Sequence, residues 1–417
     1  MALFDVALHL IGGQNIPNYV AIKHLNAEQH ILLTTKEMKD VAKRLKGSLI
    51  EYGSRIVIED VEDAFQLSSL IANFTELRQR YEGKRIALNV TGGTKLMVVA
   101  LLNVFPERRI GGNKSKVSIF KRIFTNSQRA EKVESFYVEA HGRNELISIT
   151  RNMALPLVPC FDDAKIFVSL QSPETLSRYK DRRPGEAEIA VARELRKVNG
   201  DRLKEYAFFF ADVVDKYKRS KKKKEDLSEE EYQTITQKVN KLKTFLSSDE
   251  AKADFEILEE ELGQEKFWTF LAGHWFEVYT YNLIQTSGKE LKQKVQGLRL
   301  NVPIFYEDKE MQRQERQELD LVYTDGFALC AIECKARKHI SQEDVQKLEN
   351  NVLRYGGTFG RGVLVSAYEQ DVKWDQALLE RVKTSKHVML VHGKDVEHLE
   401  EALLNWRPGV WNEKLHE

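Results

Sequence analysis

Cysteine is scarce in this chain. Cys160, Cys330 and Cys334 form neither an even disulfide set nor a metal-ligand spacing. That excludes a disulfide scaffold and a cysteine-held metal centre, and it suits a reducing cytoplasm. A basic n-region and a small-residue cleavage site are both missing around Ala2–Leu10, so that run reads as a first strand and not as a signal peptide. Long hydrophobic runs are absent too. The longest, Met97 to Phe105, is interrupted by Asn103 and is too short to span a membrane. Nor is there an excess of one charge, the formal net charge being +1 at pH 7. These absences predict a cytoplasmic protein with no membrane contact. No internal repeat is visible.

What is present is a chain of 417 residues, 42% hydrophobic and 30% charged, long enough for two or three domains with their own cores. The neutral total hides local segregation. Between Glu107 and Lys132 stand Arg108, Arg109, Lys114, Lys116, Lys121, Arg122, Arg129 and Lys132, against Glu107 and Glu131. A second basic run, Lys216 to Lys224, contains Lys221-Lys222-Lys223-Lys224. Such runs are either solvated surface or places that attract a phosphate backbone.

Strands and helices alternate in the N-terminal part. Residues 4–11 read as a buried strand, Ile31–Leu33 as a second, and about Lys36–Lys46 as a helix. A strand at about Ser54–Ile58 precedes a helix from Glu62 to about Tyr81, and strand Arg85–Val90 precedes an apolar helix to Val104. This order predicts an α/β fold with a parallel, doubly wound sheet. Ser135–Ala140 and Leu146–Ile149, joined across Gly142-Arg143-Asn144, predict a terminal hairpin. The expected division is 1–152 as one domain, 153–263 as a mostly helical connector, and 264–417 as a second α/β domain. In the last of these, a helix bearing Trp268, Trp275 and Tyr279 precedes strand Asn301–Tyr306 and a hairpin. A helix from Ser341 to about Tyr355, strand Gly362–Ser366, a helix at about Trp374–Lys383, strand Val388–Val391 and helix Lys394–Leu404 follow.

The hairpin carries the most specific chemistry. Glu318–Tyr323 and Phe327–Lys335 are β-prone runs joined by Thr324-Asp325-Gly326. Residues two apart in a strand share a face, so Glu333 and Lys335 point the same way, and Asp320 on the neighbouring strand can join them. Cys334 between them faces the packed side. Two carboxylates and one ammonium in an apolar sheet are costly unless compensated. They are either a partly buried ion-pair triad or, with the Cys334 backbone carbonyl, ligands for a hard cation such as Mg²⁺ or Mn²⁺. Glu277, on the preceding helix, could complete the coordination.

A second candidate lies near the N-terminus. Thr91-Gly92-Gly93-Thr94-Lys95 stands where a strand hands over to a helix, and Gly12-Gly13-Gln14-Asn15 follows the first strand. Glycines let a backbone approach a ligand closely, and N–H groups at a helix N-terminus attract anions. In a parallel sheet both loops emerge at the carboxyl ends of strands, where ligands bind. The spacing matches neither Gly-x-Gly-x-x-Gly nor Gly-x(4)-Gly-Lys-Ser/Thr, which removes support for dinucleotide and triphosphate binding. Thr34 and Thr35, at the end of the second strand, either join the ligand or cap the next helix.

Strand, hairpin, helix and strand in this order resemble the PD-(D/E)XK nuclease core over about residues 265–392, with Glu277, Asp320, Glu333 and Lys335 at its motif positions. Lys347-Leu348-Glu349 and Gly356-Gly357 resemble the version found in CRISPR accessory nucleases, and Leu319 stands where proline commonly precedes the aspartate. Asn89 to Lys95 resembles the marker loop of the CARF family, the CRISPR-associated Rossmann fold. Together the halves resemble the cyclic-oligoadenylate-activated ancillary nucleases of type III CRISPR defence. The resemblance implies a homodimer binding cyclic tetra- or hexa-adenylate across its two-fold axis through Gly12–Asn15 and Thr91–Lys95, and a Mn²⁺- or Mg²⁺-dependent endonuclease cutting DNA and/or RNA. A two-fold dimer presents each loop twice, which suits a ring that shares its axis. Two alternatives stand beside it: a constitutive repair or restriction-type nuclease with a scaffold Rossmann domain, and a non-enzymatic nucleotide sensor. Arg381 and His387, with five residues between, also fit the loose Arg-x(4–6)-His spacing of metal-independent HEPN ribonucleases.

Overall fold

A computed structural model describes residues 3–106, 132–139, 145–151, 153–171, 183–198, 200–223, 226–307, 313–336, 340–367 and 376–405. The basic stretch from Arg108 to Arg129, the Gly142–Asn144 connection, Lys224 and Trp374 lie outside the described residues. The chain forms two compact units. One is Met1–Phe161 with Lys165–Pro173 and Tyr355–Phe359; the other is Asp162–Ala164 with Glu174–Arg354 and Gly360–Glu417.

In the first unit the elements run β1 (Phe4–Leu10), α1 (Ile16–His24), β2 (Ala27–Thr34), α2 (Lys39–Gly47), β3 (Ile56–Asp60), α3 (Leu67–Arg80), β4 (Arg85–Asn89), α4 (Lys95–Val104), β5 (Lys132–Glu139), β6 (Glu145–Ser148), β7 (Met153–Pro156) and α5 (Ala164–Gln171). The sheet order is β3-β2-β1-β4-β5-β6-β7. β1 to β5 pair in parallel and β6 and β7 are antiparallel. A strand covered on both faces by helices must be apolar almost throughout, which is why Phe4-Asp5-Val6-Ala7-Leu8-His9-Leu10 reads as a near-continuous run. Leu8, Leu10, Ile31, Leu88, Phe74 and Leu101 meet in the core.

Two expectations differ here. α3 begins at Leu67 and not at Glu62, because Asp63 takes a left-handed φ of 50° and its Oδ1 accepts the Phe65 N–H, making a turn. The sheet also continues beyond the predicted hairpin. β7 adds a further strand, Met153-Ala154-Leu155-Pro156, whose four residues are all exposed and carry no polar–apolar alternation to read.

The second unit contains α6 (Glu186–Lys197), α7 (Gly200–Lys223), α8 (Glu229–Lys243), α9 (Asp249–Leu262), α10 (Gln264–Thr269), a π-helical turn at Phe270–His274, α11 (Trp275–Thr286) and α12 (Lys289–Lys294). Then come β8 (Gln296–Glu307), β9 (Arg313–Thr324), β10 (Leu329–Lys335), α13 (Gln342–Gly356), β11 (Arg361–Ser366), α14 (Gln376–Thr384), β12 (Val388–His392) and α15 (Leu399–Asn405). The sheet order is β12-β11-β10-β9-β8, parallel from β10 to β12 and antiparallel from β8 to β10. One core joins Val191, Phe210, Val239 and Phe255 of α6 to α9 with Trp275, Ile332 and Cys334. The helices expected to be a connector therefore share the core of this unit, packing on α10, the π-helical turn and α11.

The β9–β10 hairpin closes through four residues, Asp325 to Ala328, since Thr324 pairs with Leu329. Asp325 Oδ1 accepts the N–H groups of Phe327 and Ala328, and Arg361 holds its other oxygen. A side chain that closes its own turn explains why the loop is longer than an Asp-Gly pair suggests. Among the described residues no helix is long and apolar enough to cross a membrane.

Candidate functional site

Ladder register sets the acidic cluster in the second unit. β10 and β9 pair Ala331 with Val322 and Ile332 with Leu321, which carries Glu333 and Asp320 to adjacent places. Asp320 Oδ2 accepts the Cys334 N–H at 2.7 Å. Glu333 is only 4% exposed. Lys335 Nζ donates to Glu333 Oε1 at 2.5 Å, and Lys347 Nζ on α13 lies 3.7 Å from the same oxygen. Glu277 comes from the first turn of α11, directly after the π-helical turn, with His274 Nδ1 at 2.7 Å from its Oε2. Across from Asp320 on β8, between the pairs Leu300–Leu321 and Val302–Leu319, stands Asn301. Its Nδ2 lies 3.3 Å from His274 Nδ1, and its φ of 51° is a left-handed conformation inside a strand. Backbone strain of this kind persists where surrounding structure holds it, commonly at functional sites.

Electrostatics follow from this crowding. Burial raises the Glu277 carboxyl to about 8, with Glu318 and Glu333 adding to the rise and Lys335 opposing it. Burial, then Glu277 and Glu333, push Asp320 well above the carboxylate range against the Cys334 N–H and Lys335. Burial works against the charge on Lys335, but Glu333 beside it prevails and holds the ammonium above its ordinary pKa. Carboxyl groups this close cannot all ionise at neutral pH without a cation among them. A hard divalent ion fits the donors: Mg²⁺ and Mn²⁺ take carboxylate and carbonyl oxygens, and Mg²⁺ uses one or two carboxylates while keeping several waters. Among the described residues no three acidic, histidine or cysteine side chains close into a cage. Glu333 is held by lysines.

A cleft of about 800 Å³ opens on this cluster, lined by Glu277, Asp320, Lys335 and Lys347 and, from α7 and α10, Phe208, Lys218 and Lys266. Several of its residues escaped sequence reading. Glu318 shares the face of Asp320 two residues away, so the strand period would have found it. His274 is three residues before Glu277 on a helical path, a spacing that also signals contact. Asn301 and Phe208 leave no such signal. The Arg381–His387 pair is used structurally: Arg381 Nη2 donates to Glu349 Oε2 at 2.7 Å, and His387 Nδ1 lies 2.9 Å from Gly360 O.

In the first unit, the strand order reverses between β1 and β4, and the two glycine loops leave those adjacent strands. They touch closely. A Cβ on Gly92 would lie 2.1 Å from Leu10 O, and Gly93 has φ +77°. Thr94 Oγ1 caps α4 by accepting the Met97 N–H at 3.1 Å. Thr91 donates through its hydroxyl to Asn89 Oδ1 at 2.7 Å and accepts the Val138 N–H at 2.8 Å. Gly13, Gln14 and Lys95 are exposed, and Gly12 with Thr91–Thr94 is half-buried.

Other predicted ligand residues turn inward. Asn15 is buried, its Nδ2 donating to Val41 O at 2.8 Å and Leu170 O at 2.9 Å. Thr34 is buried and donates to Thr35 O, and Thr35 precedes a short helical turn at Lys36–Met38. Beneath the loops lies a buried polar chain. Asn89 Nδ2 donates to Asn18 Oδ1 at 2.7 Å and lies 3.2 Å from His9 Nδ1, and His9 Nε2 is 3.0 Å from His30 Nδ1. Burial, then His30, holds His9 well below the ordinary imidazole pKa, and burial, then Arg55, holds His30 at about 4.

Comparison with known proteins agrees with this architecture. Residues 6–149 match the family model of the Card1 CARF domain, and residues 264–410 match that of the Card1-like endonuclease domain. No curated protein matches the chain. Among solved structures, protein VC1899 from Vibrio cholerae superposes with TM-score 0.67 at 14% identity, covering 96% of this chain and 97% of that one. Can2 from Sulfobacillus thermosulfidooxidans, in complex with cyclic tetra-adenylate, gives TM-score 0.61 at 17% identity, covering 96% of each. A type III CRISPR defence DNA nuclease activated by cyclic oligoadenylate gives TM-score 0.53 at 16% identity, covering 97% of this chain and 53% of that one. At these identities the likeness is one of fold. The glycine loops fall in the first matched region and Glu277, Asp320, Glu333 and Lys335 in the second.

Proposed function

The chain belongs to the Card1-type family, a CARF domain joined to an endonuclease domain, and from that premise we propose that it is a cyclic-oligoadenylate-activated, metal-dependent endonuclease. It hydrolyses phosphodiester bonds in DNA and/or RNA, as a cytoplasmic homodimer serving type III CRISPR defence. The observation that carries this reading is the crowding of Glu277 and Asp320 in one cleft beside the buried Glu333–Lys335 pair. A plain ion-pair triad leaves the raised Glu277 and Asp320 uncompensated, whereas a divalent cation compensates both.

Asp320, Glu277 and the Cys334 carbonyl, with Glu333 beside them, would hold Mn²⁺ or Mg²⁺. Bound there, the cation supplies Lewis acidity toward a phosphoryl oxygen and a water-derived nucleophile at neutral pH. Lys335 keeps its charge, fixes Glu333 and faces the charge that develops on the phosphate. His274 orients the Glu277 carboxylate from one side. In the sensor, Gly12, Gly13, Gln14 and Thr91–Lys95 offer backbone N–H groups and a helix N-terminus to a phosphate-bearing ring. Asn15 ties the first of those loops to Val41 and Leu170. By role the sensor lies within 1–152 and the cutter within 264–417, with helices α6 to α9 sharing the cutter's core.

The test is a cleavage panel of RNA, single-stranded DNA and nicked duplex DNA, with Mn²⁺ or Mg²⁺, with and without cyclic tetra- and hexa-adenylate. Cutting that needs both metal and ring is expected. Cutting without the ring returns the constitutive reading, and no cutting of any substrate ends the nuclease reading.

A further inference from the structure

Three consecutive phenylalanines on α7 have three different surroundings. Phe210 is fully buried in the core that also holds Ile332 of β10. Phe209 packs edge-on against Phe210, and Lys238 Nζ lies 5.5 Å from the centre of its ring. Phe208 is 58% exposed, takes part in no ring or cation contact among the described residues, and lines the cleft above the acidic cluster. Alanines flank it on the same wall, Ala207 one residue before and Ala211 one turn on, so its ring face stays open. Lys218 of α7 and Lys266 of α10 line the same wall, and neither is drawn into an ion pair among the described residues. Glu265 on this wall is neutralised by Lys221 at 2.9 Å.

We infer that Phe208 is a base-stacking residue that positions the substrate strand over Asp320, with Lys218 and Lys266 holding phosphates beside it. The inference rests on the nuclease reading above, and it gives the helices before the sheet a direct part in binding. An open aromatic ring beside uncommitted ammonium groups is how proteins hold single strands irrespective of sequence: the ring takes a base face and the cations take the backbone. Lys218 and Lys266 give this wall uncommitted positive charge beside the acidic cluster, which suits the phosphates of a polyanion better than an apolar helix. A ring can stack only on a base face free of its neighbouring base, so the strand is unstacked where it crosses α7.

The experiment uses the full chain carrying Glu333→Ala, with Mn²⁺ and cyclic tetra-adenylate, and single-stranded oligonucleotides bearing one fluorescent aminopurine at successive positions. Quenching at one position is expected, lost on adding Phe208→Ala and kept on adding Phe208→Tyr. In the otherwise unaltered chain, Phe208→Ala raises KM about tenfold, more than it lowers kcat. Lys218→Ala and Lys266→Ala each reduce the salt slope of binding by roughly 0.7. Unchanged KM and unchanged quenching in Phe208→Ala overturn the inference. So does a Phe208→Ala chain that loses its dimer while keeping its KM, which would assign the ring to a second copy. If the unaltered chain cuts nothing but the quenching and its loss are seen, stacking stands and the nuclease reading fails. If neither cutting nor quenching occurs, both fail.

Discussion

At the ends of β1 and β4 the chain offers a ligand its own N–H groups, held in place by neutral amides and imidazoles. Within β9 and at the C-terminal end of β10 it offers carboxylates, Glu333 among them held by ammonium groups. On the proposed function the first would accommodate an anion that comes and goes, and the second a cation. A neutral network tolerates an empty site at little cost. Crowded carboxyl groups do not, so they take up protons when the cation is absent. The difference teaches that side-chain charge marks the site built around an ion, and glycine and buried amides mark the site built around a ligand's shape.

The largest effect expected from breaking this comparison is at Glu333 and Lys335. Glu333→Ala or Lys335→Ala should lower cleavage more than about a hundredfold, while cyclic tetra-adenylate binding, measured by calorimetry, stays as in the unaltered chain. Equal cutting in both variants would return the cluster to a simple ion-pair triad. Next in size is Gly92→Ala, whose new Cβ would stand 2.1 Å from Leu10 O. The loop must move, so ring binding should weaken more than about tenfold, with Mn²⁺ binding at the other site unchanged. Gly13→Ala meets nothing within 4 Å and should leave the thermal midpoint unchanged.

These two sites were not equally legible. The period of two in a strand was enough to put Glu333, Lys335 and Asp320 together, since register and pattern enforce each other in a half-buried hairpin. Glycine marked the loops because close backbone approach leaves no other residue a place. The direction of the Asn15 amide was not legible, because one acceptor, Leu170 O, is 155 residues away in sequence. The His9–His30 contact is hidden for the same reason: each histidine lies in an apolar strand and only the β1–β2 register joins them. Phe208 reads as one more apolar position of α7 until the helix face is known.

A smaller effect should come from the polar chain under the loops. Asn89→Ala removes the acceptor for Thr91 and leaves Asn18 and His9 buried without that partner. Stability should fall by about 1–3 kcal/mol, read by denaturant unfolding, and ring affinity should fall with it as the Thr91 hydroxyl loses its anchor. A drop in stability with unchanged ring affinity would separate the network from the ligand loops.

The smallest effect per step, and the sharpest contrast, is in pH. His30 titrates at about 4 in the folded first unit against roughly 6.5 in an unfolded chain. Between those values the unfolded chain binds more protons, so this contribution to the stability of the first unit is fully present above 6.5 and is lost as pH falls toward 4. Glu277 titrates at about 8 in the folded second unit against roughly 4.5 unfolded. There the folded chain binds more protons, so this contribution is fully present below 4.5 and is lost as pH rises through 8. Each group contributes about 1.4 kcal/mol per pH unit within its window, with opposite sign. Trp268 and Trp275 are buried in the second unit, and the sequence of the first contains no tryptophan. Tryptophan emission therefore follows that unit, and circular dichroism follows both. Unfolding from pH 5 to 8 should show the two slopes running against each other, and Mn²⁺ should flatten only the one seen by tryptophan, because the cation replaces the proton on the second site. Parallel slopes, or a flattening seen by both probes, would mean that the two sites are not built from opposite charges after all.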